Sequence, residues 1–357
     1  MKTRLFPGTF KSLLSLSFIA FMISFVGCKK DLDNVKLAND NQKKDAQISS
    51  LHYALTSGDV ISSDSENPTI AVNNNNKLVA IYKRSSSAGS LYYMTGDITN
   101  DNNGYKWNSP VQLDDYGAYP SVAINDNNVV VEVHKSASAN YSNDTYYHVG
   151  QLNGSNIQWG NSATFSTGEN PKIAFNKNNI IVVVYHNRAN SALYYKVGIV
   201  NPNTKTIAWG AERSNGGRGN NQSISMNNLN MVVDVYEGEN NQGLFYRFGI
   251  LSPATKTIIW DNPQHYQSGS HPDVALSDNN FVSEVHYGSK ESGSAIYKLY
   301  TMGGSVSNGK IVWSQNPTSY ASGVTPCIAA NNNNVIQANT TVAWWLATRF
   351  SVAHINK

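Results

Sequence analysis

The sequence predicts an all-β fold: a six-bladed β-propeller of four-stranded antiparallel blades, closed by a strand from the N-terminal side. Three observations predict it. One short segment recurs six times, each copy continues into further short apolar runs rather than a helix-length pattern, and the first and last copies are incomplete in complementary ways.

The segment reads "NPTIAVNNNNKLVAIY" from Asn67, "YPSVAINDNNVVVEVH" from Tyr119, "NPKIAFNKNNIIVVVY" from Asn170, "NQSISMNNLNMVVDVY" from Asn221, "HPDVALSDNNFVSEVH" from His271 and "TPCIAANNNNVIQANT" from Thr325. Its copies start 50 to 54 residues apart, a period that belongs to repeat architectures and outranks any local motif. Two apolar runs around an Asn-rich corner read as a hairpin. The corner is expected to be a two-residue turn of a primed type, because Asn tolerates the positive φ that branched residues do not. A calcium loop needs more carboxylates than "NNNN", "NDNN" or "NKNN" provide.

A third run follows in each copy, such as "SLYYMTG" (90–96), "DTYYHVG" (144–150), "ALYYKVG" (192–198), "GLFYRFG" (243–249) and "AIYKLYT" (295–301). A fourth ends in Trp107, Trp159, Trp209, Trp260 or Trp313. Runs this short, rich in Val, Ile, Tyr and Trp and bounded by Asn and Gly, are strands. In the last copy "VAWWLAT" (342–348) reads as the third run, and "FSVAHINK" leaves no tryptophan strand. Before the first copy, residues 50–68 fall where that strand belongs, with Leu55 and Thr56 in the tryptophan place. The N-terminal segment therefore supplies the outer strand of the last blade, which makes six blades; seven, with a degenerate extra blade, is the alternative.

The propeller spans residues 49–357. Residues 1–27 read as a signal peptide: Lys2, Arg4 and Lys11 precede a mostly apolar stretch from Leu13 to Val26. "FVGC" resembles the lipobox of bacterial lipoproteins, although Phe25 stands where an aliphatic residue is usual; an ordinary secretory signal containing a cysteine is the other reading. The lipobox implies that Cys28 is acylated and anchors the chain to a membrane, giving a bacterial outer-membrane lipoprotein facing the cell surface. Residues 28–48, charged and poor in apolar side chains, read as a flexible tether.

The signal also accounts for the net charge. Its three basic residues make up the whole +3, so the remaining chain has 24 residues of each sign. Such a balance supplies no counterion-release term and argues against nucleic acid and against electrostatic docking on anionic lipid. With Cys28 acylated, Cys327 has no disulfide partner and reads as core. A monomer is expected.

Chemistry-bearing residues collect on the second strand. Glu132 aligns with Ala80, Val183, Asp234, Glu284 and Ala338; His134 aligns with Tyr82, Tyr185, Tyr236, His286 and Thr340. Strand alternation puts both columns on one face. Two readings stand: buried groups that satisfy one another between blades, or a ligand-binding column. One Glu and one His per blade are too few for zinc unless neighbours contribute, and no metal or cofactor is expected. The tryptophans likewise serve either blade packing or stacking on a sugar ring. The chain has no GxSxG elbow, no HExxH and no GxxxxGK[ST] phosphate loop. It has no S-x-D-x-G-x-T-W box of sialidases either, so enzymatic activity has no motif to support it.

The pattern P-x-[VI]-A-x-N-x-N-N-x-V-V-x-V-[HY], then YYxVG, then IxWG, is clearest in "VVVEVHKS" (129–136), "YYHVG" (146–150) and "IQWG" (157–160). It resembles repeats of bacterial lectin-like propellers, similar to those accompanying phosphatidylinositol-specific phospholipase C domains. The resemblance implies sugar bound between blades. It would place Glu132, His134, Asp234, Tyr236, Glu284 and His286 as ligand contacts, with Trp159, Trp260 and Trp313 stacking on the sugar. A carbohydrate-binding envelope lipoprotein is thus the first expectation. A glycan-acting hydrolase or lyase with one propeller-face active site, and a protein-interaction scaffold, are the alternatives.

Overall fold

The computed structural model describes residues 59–354, apart from 63, 86–88, 100–103, 115, 138–142, 188, 291–295, 314–315 and 343–345. The expected signal, Cys28, the tether and the Leu55/Thr56 position lie outside the described residues.

The described strands form six antiparallel blades, numbered I to VI along the chain. Blade II shows the plan. An innermost strand Gly117–Ile124 turns into Val129–Ser136, which pairs with Asp144–Asn153. The outer edge is split into two short strands, Asn156–Trp159 and Ala163–Thr167, both on Asp144–Asn153. Long strands carry the chain onward: Arg213–Met226 edges blade III with its first half and is innermost in blade IV with its second, and Thr318–Ala330 does the same for blades V and VI. The glycine-rich "GGRGNNQ" lies within the first of these.

Blade VI is closed from the N-terminal side as the repeat count requires. Asp59–Ser62 pairs antiparallel with Leu346–His354, aligning Asp59 with Phe350 and Ser62 with Thr348. Ser65 is fully buried beside this seam; its hydroxyl lies 2.6 Å from that of Thr348 and accepts the Thr348 N–H. The third strand of blade VI is Leu346–His354 rather than "VAWWLAT", because the second strand runs on through Val342.

The Asn corners differ from the expectation. In blades I to IV the first Asn accepts a turn hydrogen bond from the fourth, and its own N–H is bonded one residue further on, as for Asn73, Asn76 and Lys77. This is a three-residue loop closed by a left-handed residue: Asn76, Asn128, Asn179 and Asn230, with Asn280 in blade V, have φ of 60 to 63°. Asn is there for positive φ, but the turn is of the bulged kind rather than the primed two-residue kind. In blade VI the Asn331 N–H reaches Asn334 O, a loop one residue shorter. That deletion shifts the register, so Gln337 and Asn339, rather than Ala338 and Thr340, stand in the columns of Glu132 and His134.

The same corners lace the blades together. Asn125 Oδ1 accepts the N–H groups of Asn127 and Val129 in its own turn, while Nδ2 donates to Asn176 O and Asn179 Oδ1 of the next blade. Asn73, Asn176 and Asn227 donate forward alike, and Asn331 donates to Asn73 O and Asn76 Oδ1, closing the ring from blade VI to blade I. Ser277 breaks the series: its hydroxyl accepts the Phe281 N–H within its own turn.

Apolar packing joins blades in a second layer. Gly150, Gly198 and Gly249 lie under the indoles of Trp159, Trp209 and Trp260, where a Cβ would come within 2.6 to 3.0 Å of the ring. From the preceding blade Tyr93, Tyr147, Tyr195 and Tyr246 meet Trp159, Trp209, Trp260 and Trp313 edge-on, with centroids 5.7 to 6.2 Å apart. The YYxVG and IxWG motifs are thus two halves of one joint. At the junction of blades V and VI, Thr301 stands in the tyrosine position and accepts a hydrogen bond from Gln337 Nε2.

Candidate functional site

The six innermost strands all begin with a distortion. Residues Asn67, Tyr119, Asn170, Asn221, His271 and Thr325 have φ of 48 to 52°. Each is followed by proline, or by Gln222 in blade IV. Residues before proline are pushed toward extended conformations, so a left-handed backbone here is a strained choice made five times, and Asn221 repeats it without the proline. The register shifts at each of these pairs: in blade II, Ala118 faces Lys135 and Ser121 faces Val133, so Tyr119 and Pro120 together oppose His134 alone. This is a β-bulge, a device that re-aims side chains. It turns the six corners toward the axis.

There they line a hollow of about 340 Å³, within the size range of small-molecule sites, roughly 300 to 1,000 Å³. It is lined by Asn67, Asn170, Asn221 and Gln222, by Tyr119 and His271, by Thr325 and Lys172, and by the five prolines; the Thr325 hydroxyl donates to Thr340 Oγ1 at 2.9 Å. Tyr119 is 45% exposed. His271 stacks on Tyr287 at 4.5 Å, which fixes its plane. Asn221 Nδ2 is held by Glu237 at 2.9 Å, and Lys172 Nζ lies 3.7 Å from Asp273 Oδ1. No carboxylate is among the described lining residues. At the opposite end of the inner strands the axis is plugged: Asn74 and Asn228 donate to both Asp126 and Asp278 around a void of only about 60 Å³.

The residues singled out in the sequence lie elsewhere. The two columns face the preceding blade, sealed rather than open: Glu132, Asp234 and Glu284 are fully buried, and His134, Tyr236 and His286 are buried beside them. Each carboxylate is satisfied differently. Asp234 accepts from Gln222 Nε2 and Asn215 Nδ2. Burial pushes its carboxyl up to about 7, against the opposing pull of Gln222, Arg247 and Asn215. Glu284 pairs with His286 Nδ1 at 2.9 Å and accepts the Tyr266 hydroxyl at 2.8 Å. Glu132 lies between His134 Nδ1, at 3.0 and 3.1 Å, and His148 Nδ1, at 3.2 Å. Burial alone would raise Glu132, but the two imidazoles hold it below the ordinary carboxylate value. Trp159, Trp260 and Trp313 are partly buried in the Gly–Tyr joints, and their indole N–H groups have no hydrogen-bond partner. Cys327 is buried, as expected of a core thiol.

Sequence reasoning missed the axial corners because proline served only as a landmark of the repeat. The signal was present: in a frame that otherwise repeats, the residue before it varies as Asn, Tyr, Asn, Asn, His and Thr.

No family model matches this chain, and no curated protein matches it. Solved structures do. A protein of unknown function from Dyadobacter fermentans is similar with a TM-score of 0.58 at 10% identity, covering 85% of this chain and 100% of that one. The α-L-arabinanase of Penicillium chrysogenum, solved with arabinobiose, gives 0.57 at 12% identity over 85% of this chain and 99% of its own. A Hadza microbial sialidase gives 0.55 at 8% identity over 83% and 68%. At such identities the likeness establishes the fold, a β-propeller.

Proposed function

We propose that this protein is a glycan-recognising propeller of the bacterial cell envelope, tethered through an acylated Cys28, that takes its sugar at the axial mouth. The observation that carries the reading is the ring of six left-handed corners, which converge non-identical side chains on one hollow. Amides, a hydroxyl and an imidazole suit sugar hydroxyls, while Tyr119 and the prolines offer the apolar surface that a sugar's C–H face needs. The resemblance to lectin-like repeats and the likeness to an arabinanase and a sialidase lend support from two directions. The mouth is preferred to the blade junctions because the Glu and His columns are buried.

A glycan array probed with the protein tests this. Binding lost in both Tyr119→Ala and His271→Ala supports the reading; a flat array at high protein density, or binding indifferent to both changes, contradicts it. The names of the similar structures favour a second reading, glycoside hydrolysis, which needs a carboxyl pair across the bond. Glu237 and Asp273, beside the mouth, are its candidates. Sugar release from arabinan or a sialoside, abolished by Glu237→Gln or Asp273→Asn, would decide for it.

A further inference from the structure

We infer that the junction of blades I and II is a binding site for one divalent transition-metal ion, with Asp114 Oδ2, His134 Nε2 and His148 Nε2 as ligands. The outer strand Val111–Asp114 of blade I brings the carboxylate, and the paired second and third strands of blade II bring the histidines.

Glu132 organises the site. Both histidines turn Nδ1 to this one buried carboxylate, so both Nε2 atoms face the other way, toward a common point. A carboxylate on the remote nitrogen of each ligating imidazole is the usual support of a metal-bound histidine. Tyr146 stacks on His134 at 5.6 Å, and His134 on His148 at 5.8 Å, so neither ring is free to swing.

At the common point stands Asp114 Oδ2, 3.7 Å from His134 Nε2 and 3.8 Å from His148 Nε2. The three ligand atoms lie within 4.8 Å of one another. The contacts to Asp114 are too long for hydrogen bonds. A tetrahedral ion with bonds of about 2.0 to 2.1 Å would hold its ligands roughly 3.3 Å apart, so the two contacts to Asp114 need to contract by about half an ångström, and the two imidazole nitrogens, which lie within 4.8 Å of each other, by at most about 1.5 Å. Two carboxylates flank two imidazoles, so an ion of charge +2 balances the cluster. Nitrogen donors select a zinc-like ion over magnesium or calcium, which prefer oxygen alone. Three protein ligands leave one coordination position, and Asp114, with its side chain 27% exposed, is the route to solvent.

Blade V is the internal control. It keeps the pair Glu284 and His286, but Met302 stands where blade II has His148, Gln267 takes the place of Asp114, and Tyr266 occupies the second oxygen of Glu284. One such site follows among the described residues.

The test uses the full mature chain without a histidine tag, stripped with chelator, dialysed, and titrated with Zn²⁺ and separately with Co²⁺. One equivalent of each should bind, Co²⁺ with the intense visible absorption of a four-coordinate ion. His148→Met, which copies blade V, and Asp114→Asn, at a partly exposed position, should each abolish binding. Glu132→Gln should weaken it about 10- to 100-fold, and His286→Ala should leave it unchanged. The inference is overturned if the wild-type chain takes up neither ion, or if uptake persists in a folded Asp114→Asn or His148→Met protein.

Discussion

Replacing Asn125 by alanine isolates what the Asn corners contribute. The side chain makes four hydrogen bonds: two accepted within its turn, at 3.0 Å each, and two donated to the next blade, at 3.4 and 2.8 Å. Asn127 is exposed, so its N–H can turn to water; Val129 is buried, and so is Asn176. The Asn176 carbonyl keeps its turn bond from the Asn179 N–H, so one buried group left without its partner, the Val129 N–H, at about 1 kcal/mol, and three net bonds at about 0.5 kcal/mol each, give a loss of about 2.5 kcal/mol. Asn125→Ser should cost a little over half of that. It retains the acceptor for the buried Val129 N–H, as Ser277 does for Phe281 at the equivalent corner, and loses the bond from Asn127 and the inter-blade pair. Equilibrium unfolding in urea reads both, as lowered midpoints at unchanged slope. An Asn125→Ala protein within about 0.5 kcal/mol of wild type, a difference ordinary for a surface change, or a serine variant as damaged as the alanine one, would contradict this role of the corner.

Three further outcomes follow from the same geometry. Gly150→Ala places a methyl 2.5 Å from Ile157 and 2.7 Å from the Trp159 ring, so urea midpoints should show a loss of about 1 to 3 kcal/mol, as for overpacked cores. Asp234, raised in the folded state to about 7, binds its proton more tightly folded than unfolded. Its contribution to stability is therefore full below about pH 4 and is lost as pH rises through about 7. Measured across that window, wild type should lose stability relative to Asp234→Asn by at most about 4 kcal/mol; parallel pH profiles would refute this. Ser65→Ala, which removes the buried hydroxyl bridging to Thr348 at the closing seam, should cost about 1 to 2 kcal/mol in thermal or urea unfolding.

Much of the architecture was legible because the repeat is a physical necessity: a blade cannot bury two faces alone. The blade count, the four-strand unit and the contribution of the N-terminal segment to blade VI could be read from spacing. Turn type could not, since Asn suits the left-handed position of either hairpin. Register in blade VI depended on one missing loop residue, which moved Gln337 and Asn339 into columns that the aligned letters had assigned to Ala338 and Thr340. The Glu and His columns were correctly placed on one face, but period-two alternation does not say whether a face meets solvent or another blade. Nor could pairing along one strand reveal Asp114 or His148, which reach Glu132 and His134 from another blade and another strand. The axial corners depend on backbone φ, which their varied side chains do not announce.

In the function proposed above, the sugar sits on the propeller axis. Crystals of the protein grown with the best oligosaccharide from the array would show this directly. Density for the sugar between Tyr119 and His271, within reach of Asn67, Asn170 or Asn221, is the predicted result; an ordered sugar lodged between blades with the mouth left to solvent would contradict it.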